Sequence, residues 1–325
     1  MRKIVLAVLG IICLTLCYFT FLSADKAFRS DWQLPQTAAS GQTQHRLVLI
    51  TQELDTSFWD RVGQGALEQA RKDGASLEVW GSYGRNQEEF LKKIEIAIDS
   101  KVDGIIVQGL DSEAFKSLTK IKAAFYGIPI VTVANDVPMA ESLRRTYVGS
   151  DQYAAGQMIA KQLIADMGQA GNVILLGDTY QEYYQKQRLA GIQDVLQDYP
   201  DIRTAYEETE ATREQVIATT KDLMNRVPDA DAFIAVNANM AEAMLHEIGR
   251  RSRIEPYHVY SFDDGRDSET LFAQGKLDGM IEQSPEQMGA LSVNLMMQWL
   301  RGETVPLEMD GYLTEIRMAK AMDAR

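Results

Sequence analysis

Short apolar, β-type runs alternate with helical spacing along nearly the whole chain, and that alternation limits the fold more than any motif does. Leu47-Val48-Leu49-Ile50 reads as a strand, after which Phe58, Val62, Ala66 and Ala70 recur at four-residue spacing as one helix face. Leu77-Glu78-Val79-Trp80, a helix over roughly 87–100, Gly104-Ile105-Ile106-Val107, a helix near 113–125 and the run 129–133 continue the series. After Thr146-Tyr147-Val148-Gly149 it starts again, with helices near 151–167, 185–198 and 212–226 and one ending at Arg250. Strand runs at 172–176, 203–208, 232–236, 259–262 and 277–282 lie between or after them. Strands separated by helices give parallel sheets covered on both faces, so the expected class is α/β with two Rossmann-like lobes.

Polar residues mark where such lobes bind. Asn237, Asp263 and Gln283 each sit immediately after a strand run, and in open α/β sheets ligands occupy the crevice beyond the strands' carboxyl ends. Three hydrogen-bonding side chains at three such ends suggest a site for a polar small molecule.

The N-terminus suggests an address outside the cytoplasm. Arg2-Lys3 precede an almost uninterrupted apolar stretch from Ile4 to Leu22, close to the length that spans a bilayer. It reads as a signal anchor over residues 4–23, with a cleaved signal peptide as the alternative. Both cysteines, Cys13 and Cys17, lie inside this stretch, so the exported part has no thiol for a disulfide, a nucleophile or a thiolate metal site. Residues 25–45 are polar and read as a linker. A net charge of -13 argues against a nucleic-acid partner, and 46% apolar residues are enough for substantial cores.

Taken in order, the local motifs resemble one family. They are Ser57-Phe58-Trp59 with Gly65-Ala66, Gly127-Ile128-Pro129-Ile130-Val131-Thr132, Tyr147-Val148-Gly149-Ser150-Asp151 and Gln187-Arg188-Leu189-Ala190-Gly191. Ala235-Val236-Asn237-Ala238-Asn239, Phe262-Asp263-Asp264-Gly265 and Ile281-Glu282-Gln283-Ser284-Pro285 complete the set. In order and spacing the chain, over 46 to about 316, is similar to the type I periplasmic binding proteins of the ribose-binding class, which also supply the ligand domain of lac-repressor-type regulators.

The resemblance implies lobes at 46–150 plus 284–312 and 151–283 plus 313–325, preceded by the signal segment 1–24 and joined by a hinge of three crossings near 150, 283 and 312. It also implies a sugar site built from Phe58, Trp59, Asp136, Arg188, Asn237, Asp263 and Gln283. Carboxylates accept from hydroxyls, amides do both, and aromatic faces pack on the apolar face of a sugar ring. Each residue has a plainer alternative. Phe58 fits the helix core face, Asp136 opens the turn before Pro138, and Arg188 fits a solvated helix. Asn237 can cap the following helix, a task also open to Asn239. Asp263 has Asp264 and Gly265 as turn-forming neighbours, and Gln283 fits an interlobe structural role. Two departures bear on the ligand. Ala134 stands where many members carry Asp or Asn, and the second-lobe aromatic wall lacks a counterpart near Glu210-Ala211, leaving Tyr83, Tyr183 or Tyr184 as replacements.

Catalytic constellations are not evident. His45, His246 and His258 lack metal-ligand spacing, and neither a phosphate loop nor a nucleophile elbow is present. The expected partners are a sugar or polyol and either an ABC-type permease or a membrane sensor histidine kinase, with no cofactor, no metal and membrane contact through the N-terminal helix. The alternative is an exported α/β enzyme acting on a sugar or nucleoside.

Overall fold

The computed structural model describes residues 15–16, 18–20, 44–84, 86–180, 182–251 and 257–321. The chain divides into units Met1–Thr43 and Gln44–Arg325. In the first, the described residues are helical and expose Leu16, Tyr18 and Phe19. The expected membrane segment and linker fall almost wholly outside the described residues, and no helix among the described residues is long and apolar enough to cross a membrane.

The second unit begins with β1 (Arg46–Thr51), α1 (Ser57–Asp73), β2 (Ser76–Gly81), α2 (Gln87–Asp99) and β3 (Gly104–Gln108). Next come α3 (Glu113–Ser117), which runs on through a π-helical turn at Leu118–Ala123, then β4 (Ile130–Val133), α4 (Met139–Ser142) and β5 (Thr146–Gly149). The second series is α5 (Gln152–Met167), β6 (Gly171–Asp178), α6 (Tyr183–Leu196), β7 (Ile202–Thr209), α7 (Arg213–Arg226) and β8 (Ala232–Ala235). It continues with α8 (Ala241–Arg251), β9 (His258–Phe262), α9 (Ser268–Ala273) and β10 (Gly279–Glu282). The chain closes with α10 (Pro285–Leu300), β11 (Tyr312–Leu313) and β12 (Arg317–Lys320).

Two six-stranded sheets result, ordered β11-β5-β4-β3-β1-β2 and β12-β10-β9-β8-β6-β7. All neighbours are parallel except β12, which runs antiparallel to β10. This is the expected α/β class with two Rossmann-like sheets. The chain passes between them after β5, after β10 and after β11. Strands β3, β4 and β8 are buried along their whole length, as sheets with helices on both faces require. Each sheet carries one apolar cluster per face.

Helix ends follow from local chemistry. Thr56 Oγ1 accepts from Trp59 N at 3.3 Å to start α1, and Gly74, at φ 69°, ends it. Asp151 Oδ1 accepts from Ala154 N at 2.8 Å to start α5.

In each sheet's helical layer one pair of helices crosses backbone to backbone through reciprocal glycines. A Cβ on Gly65 of α1 would overlap the Glu286 carbonyl of α10, and one on Gly289 would overlap the Val62 carbonyl. In the second layer, Gly156 of α5 meets the Arg188 carbonyl and Gly191 of α6 meets the Tyr153 carbonyl. Gly289→Ala is therefore expected to destabilise by about 1–3 kcal/mol through overpacking. Gly249→Ala, in α8 with nothing within 4 Å of the added methyl, should instead gain up to about 1 kcal/mol. Thermal melts of the two variants test this, and equal shifts would contradict the packing account.

Candidate functional site

The loops at the carboxyl ends of the two sheets meet around a narrow cavity. From the first sheet come Glu53, after β1, the opening residues of α1, and Asn135, after β4; from the second come Asn237, Asn239 and Asp264. Tyr184, in the first turn of α6, completes the lining. Phe58 and Trp59 pack edge to face, with ring centroids 5.6 Å apart, and are 3% and 2% exposed. Thr56 caps α1 beside them, so the helix start aims both rings at the cleft. The remaining space is about 10 Å³, enough for roughly one water molecule.

Asn237 lines the cavity and also caps the turn that follows. Its Nδ2 donates to Asp178 Oδ2 at 3.0 Å, and its Oδ1 accepts from Asn239 N at 3.1 Å, capping a short 3-10 turn at the cavity wall. Asn239 Nδ2 then donates to Glu53 Oε1 at 2.9 Å, a hydrogen bond from one sheet's loops to the other's. Further out, Arg266 pairs with Asp55 at 2.5 Å, Arg61 with Glu269 at 3.2 Å and Lys186 with Asp111 at 3.3 Å across the same gap.

Arg188, Asp263 and Gln283 form a layer behind the cavity and are not part of its lining. Arg188 is 0% exposed, with its guanidinium carbon 3.7 Å from the Phe262 ring centroid and 4.8 Å from that of Tyr184. It donates through Nη2 to Asp264 Oδ2 at 2.8 Å, through Nη1 to Asp264 Oδ1 and the Val236 carbonyl at 3.3 Å each, and through Nε to Gln152 Oε1 at 2.8 Å. Gln152 Nε2 donates to Gln283 Oε1 at 3.2 Å. Asp263 accepts twice from Gln283, from the backbone N and from Nε2, at 2.7 Å each. The line Arg188–Gln152–Gln283–Asp263 thus ties two of the three chain crossings together. Burial, reinforced by the neighbouring Asp264 charge, pushes the Asp263 carboxyl up to about 7 despite the Gln283 hydrogen bonds and the positive charge of Arg188.

Asp136 lies elsewhere. It accepts from Arg144 Nε at 2.6 Å, Arg144 Nη2 at 2.7 Å and Thr132 Oγ1 at 2.6 Å, and it faces a second, wider cavity beside the crossings. The cause is the turn after β4, where Ala134 holds φ 63° and sends Asn135 into the narrow cavity and Asp136 away from it. Of the two adjacent aspartates, Asp264 lines the inner cavity and Asp263 does not. Of the tyrosines considered as aromatic replacements, Tyr184 lines both cavities, Tyr183 lines only the wider one, and Tyr83 is exposed. Glu53, Asn135, Asn239 and Asp264 escaped the sequence-based site although each follows a strand; Asn239 and Asp264 stood out only as capping and turn residues. Among the described residues no cluster of His, Cys, Asp and Glu is arranged to hold a metal ion.

Two doubly wound lobes whose strand ends face one another over a polar, aromatic-walled cavity define a cleft-type binding fold. The chain belongs to the periplasmic binding protein family: residues 47–304 match the model of the periplasmic binding protein domain. The ribose import binding protein RbsB of Escherichia coli (strain K12) is 23% identical over 269 residues, covering 82% of this chain and 89% of that protein. Among solved structures, GanP, a glucose-galactose binding protein from Geobacillus stearothermophilus, superposes with a TM-score of 0.79 at 27% identity, covering 87% of this chain and 99% of that one. The XylFII–LytSN complex contains a chain of the same fold, with a TM-score of 0.73 at 24% identity over 87% of this chain and 100% of that one.

Proposed function

We propose that this protein is an extracytoplasmic solute-binding protein that closes two lobes over a monosaccharide or similar polyol, without catalysis. The observation that carries the reading is the inner cavity, where carboxylate and amide groups of Glu53, Asn135, Asn237, Asn239 and Asp264 converge beside the rings of Phe58 and Trp59. Hydroxyl-rich rings need that mixture of acceptors, donors and apolar faces. Relatives named for ribose import and for glucose and galactose binding support the same ligand class.

In this reading the lobes, 46–150 plus 284–312 and 151–283 plus 313–325, turn about the three crossings. The cleft must part to admit a ring, and the cross-gap bonds Glu53–Asn239, Asp55–Arg266 and Arg61–Glu269 re-form on closure. Phe58, Trp59 and Asn237 touch the ligand with Glu53, Asn135, Asn239 and Asp264. Arg188, Asp263 and Gln283 position them, and Asp136 braces the first lobe. The import proteins among the relatives favour delivery to an ABC-type permease. The apolar stretch from Ile4 to Leu22 favours a tethered protein, for which reporting to a membrane sensor kinase is the second use.

A thermal-shift screen of pentoses, hexoses and polyols tests the ligand class, since ligand at 100 times its Kd stabilises by about 2.7 kcal/mol. For the sugar that responds, Asn237→Ala and Asn135→Ala are each expected to weaken binding about tenfold or more in titration calorimetry, through lost hydrogen bonds in a closed site. Unchanged affinity in both would remove the inner cavity as the site.

A further inference from the structure

The wider cavity beside the crossings holds about 520 Å³, within the range of small-molecule pockets, and both lobes build it. Tyr183, Tyr184 and Tyr153 face it from the second lobe, Met139 and Met309 from the first, and Leu313 from the third crossing. Met309 and Leu313 are each 58% exposed, so apolar surface lies open at its rim. At its base the chain crossing contributes Ser150, which is 2% exposed and whose Oγ has no hydrogen-bond partner. The first-lobe wall is fixed by the Asp136–Arg144 pair and by Arg144 Nη1, which donates to the Met309 carbonyl at 2.8 Å.

Two features set this cavity beside the inner one. The Tyr184 ring belongs to both linings, and the adjacent residues Asn135 and Asp136 face the inner and the wider cavity respectively. We propose that the wider cavity is a second subsite, which takes an apolar or aromatic ring carried as a substituent on the sugar, so that the ligand is a glycoside rather than a free monosaccharide. The proposal rests on the inner cavity being the sugar site. Ring faces of Tyr153 and Tyr183 and the thioethers of Met139 and Met309 contact the substituent. An occupant spanning both cavities touches both lobes and favours the closed form over the open one.

The test compares D-ribose, D-xylose, D-glucose and D-galactose with their methyl and phenyl glycosides by calorimetry on the full chain. For the responding sugar, the phenyl glycoside is expected to bind about three- to tenfold more tightly than the methyl glycoside, the range set by one added aromatic contact. Tyr183→Ala and Met309→Ala are expected to erase that gain and leave free-sugar affinity unchanged. Free-sugar binding with no phenyl preference, or a preference that survives both substitutions, overturns the subsite alone. Failure of every sugar and glycoside to bind overturns the sugar-site reading and the subsite with it.

Discussion

Replacing Arg188 by methionine is expected to cost about 3–5 kcal/mol of stability, the range for removing one partner of a buried ion pair. Arg188 is 0% exposed, and Asp264 opposite it would lose its charge partner together with two hydrogen bonds. Gln152 Oε1 and the Val236 carbonyl would lose a donor each. Methionine keeps part of the packing against Phe262 and Tyr184, so the measured loss reports mainly on charge and hydrogen bonding. Adding Asp264→Leu should recover much of the loss, because replacing both partners of such a pair by apolar groups is often near neutral. Chemical denaturation of the single and double variants measures both numbers. A single-variant loss below about 1 kcal/mol would mean that solvent in the cavity compensates Asp264 for the lost partner.

The second large effect concerns pH. Asp263 is held near 7 in the folded protein against an ordinary 3.8, first by burial and then by the neighbouring Asp264 charge. With its folded pKa above the unfolded one, the native state holds the proton more tightly than the unfolded chain does. Stability from this group is therefore complete below about pH 4, is lost as pH rises toward 7, and stays level above that. Three pH units correspond to about 4 kcal/mol. Asp263→Asn keeps the shape and an oxygen for the Gln283 N–H, and its amide can donate to a reoriented Gln283. The variant should match the parent near pH 4 and exceed its stability increasingly toward pH 7, by up to about 4 kcal/mol. Denaturation curves at pH 5, 6, 7 and 8 measure the difference; a gap independent of pH would show that the carboxyl does not titrate in this window.

The architecture was largely legible because parallel strands buried on both faces produce apolar runs, and their crossovers produce helical spacing. What escaped had weak local signals. Helix α10 carries three Met and three Leu and shows little amphipathic period, because it packs tightly on α1 through Gly289. Strand β12 is a short, half-exposed edge of four residues, and its sequence Arg317-Met318-Ala319-Lys320 has no apolar run. The lining of the candidate site was legible only in part, and two of the differences are of one residue. The strand-end rule reached Asn237 and Asp263, but side chains alternate sides along extended backbone. Asp263 N still donates to the Ile281 carbonyl at 3.0 Å, so its side chain meets Gln283 while Asp264 turns toward the cavity. The same one-residue ambiguity separates Asn135 from Asp136, decided by the left-handed Ala134. The pairing of Arg188 with Asp264, 76 residues away, leaves no local trace.

The reciprocal glycines of α1 and α10 also set the order in which the molecule can be assembled. Residues 171–282 supply five of the six strands of the second sheet without a break, whereas the first sheet's layer waits for residues 285–300 and its edge for 312–313. During synthesis the N-terminal lobe therefore emerges first but cannot be finished until after the strands β6–β10 of the second sheet have been made. Until α10 arrives, Val62 and Ala66 of α1 lack the helix whose backbone packs directly against them, and the first sheet keeps one face only partly covered.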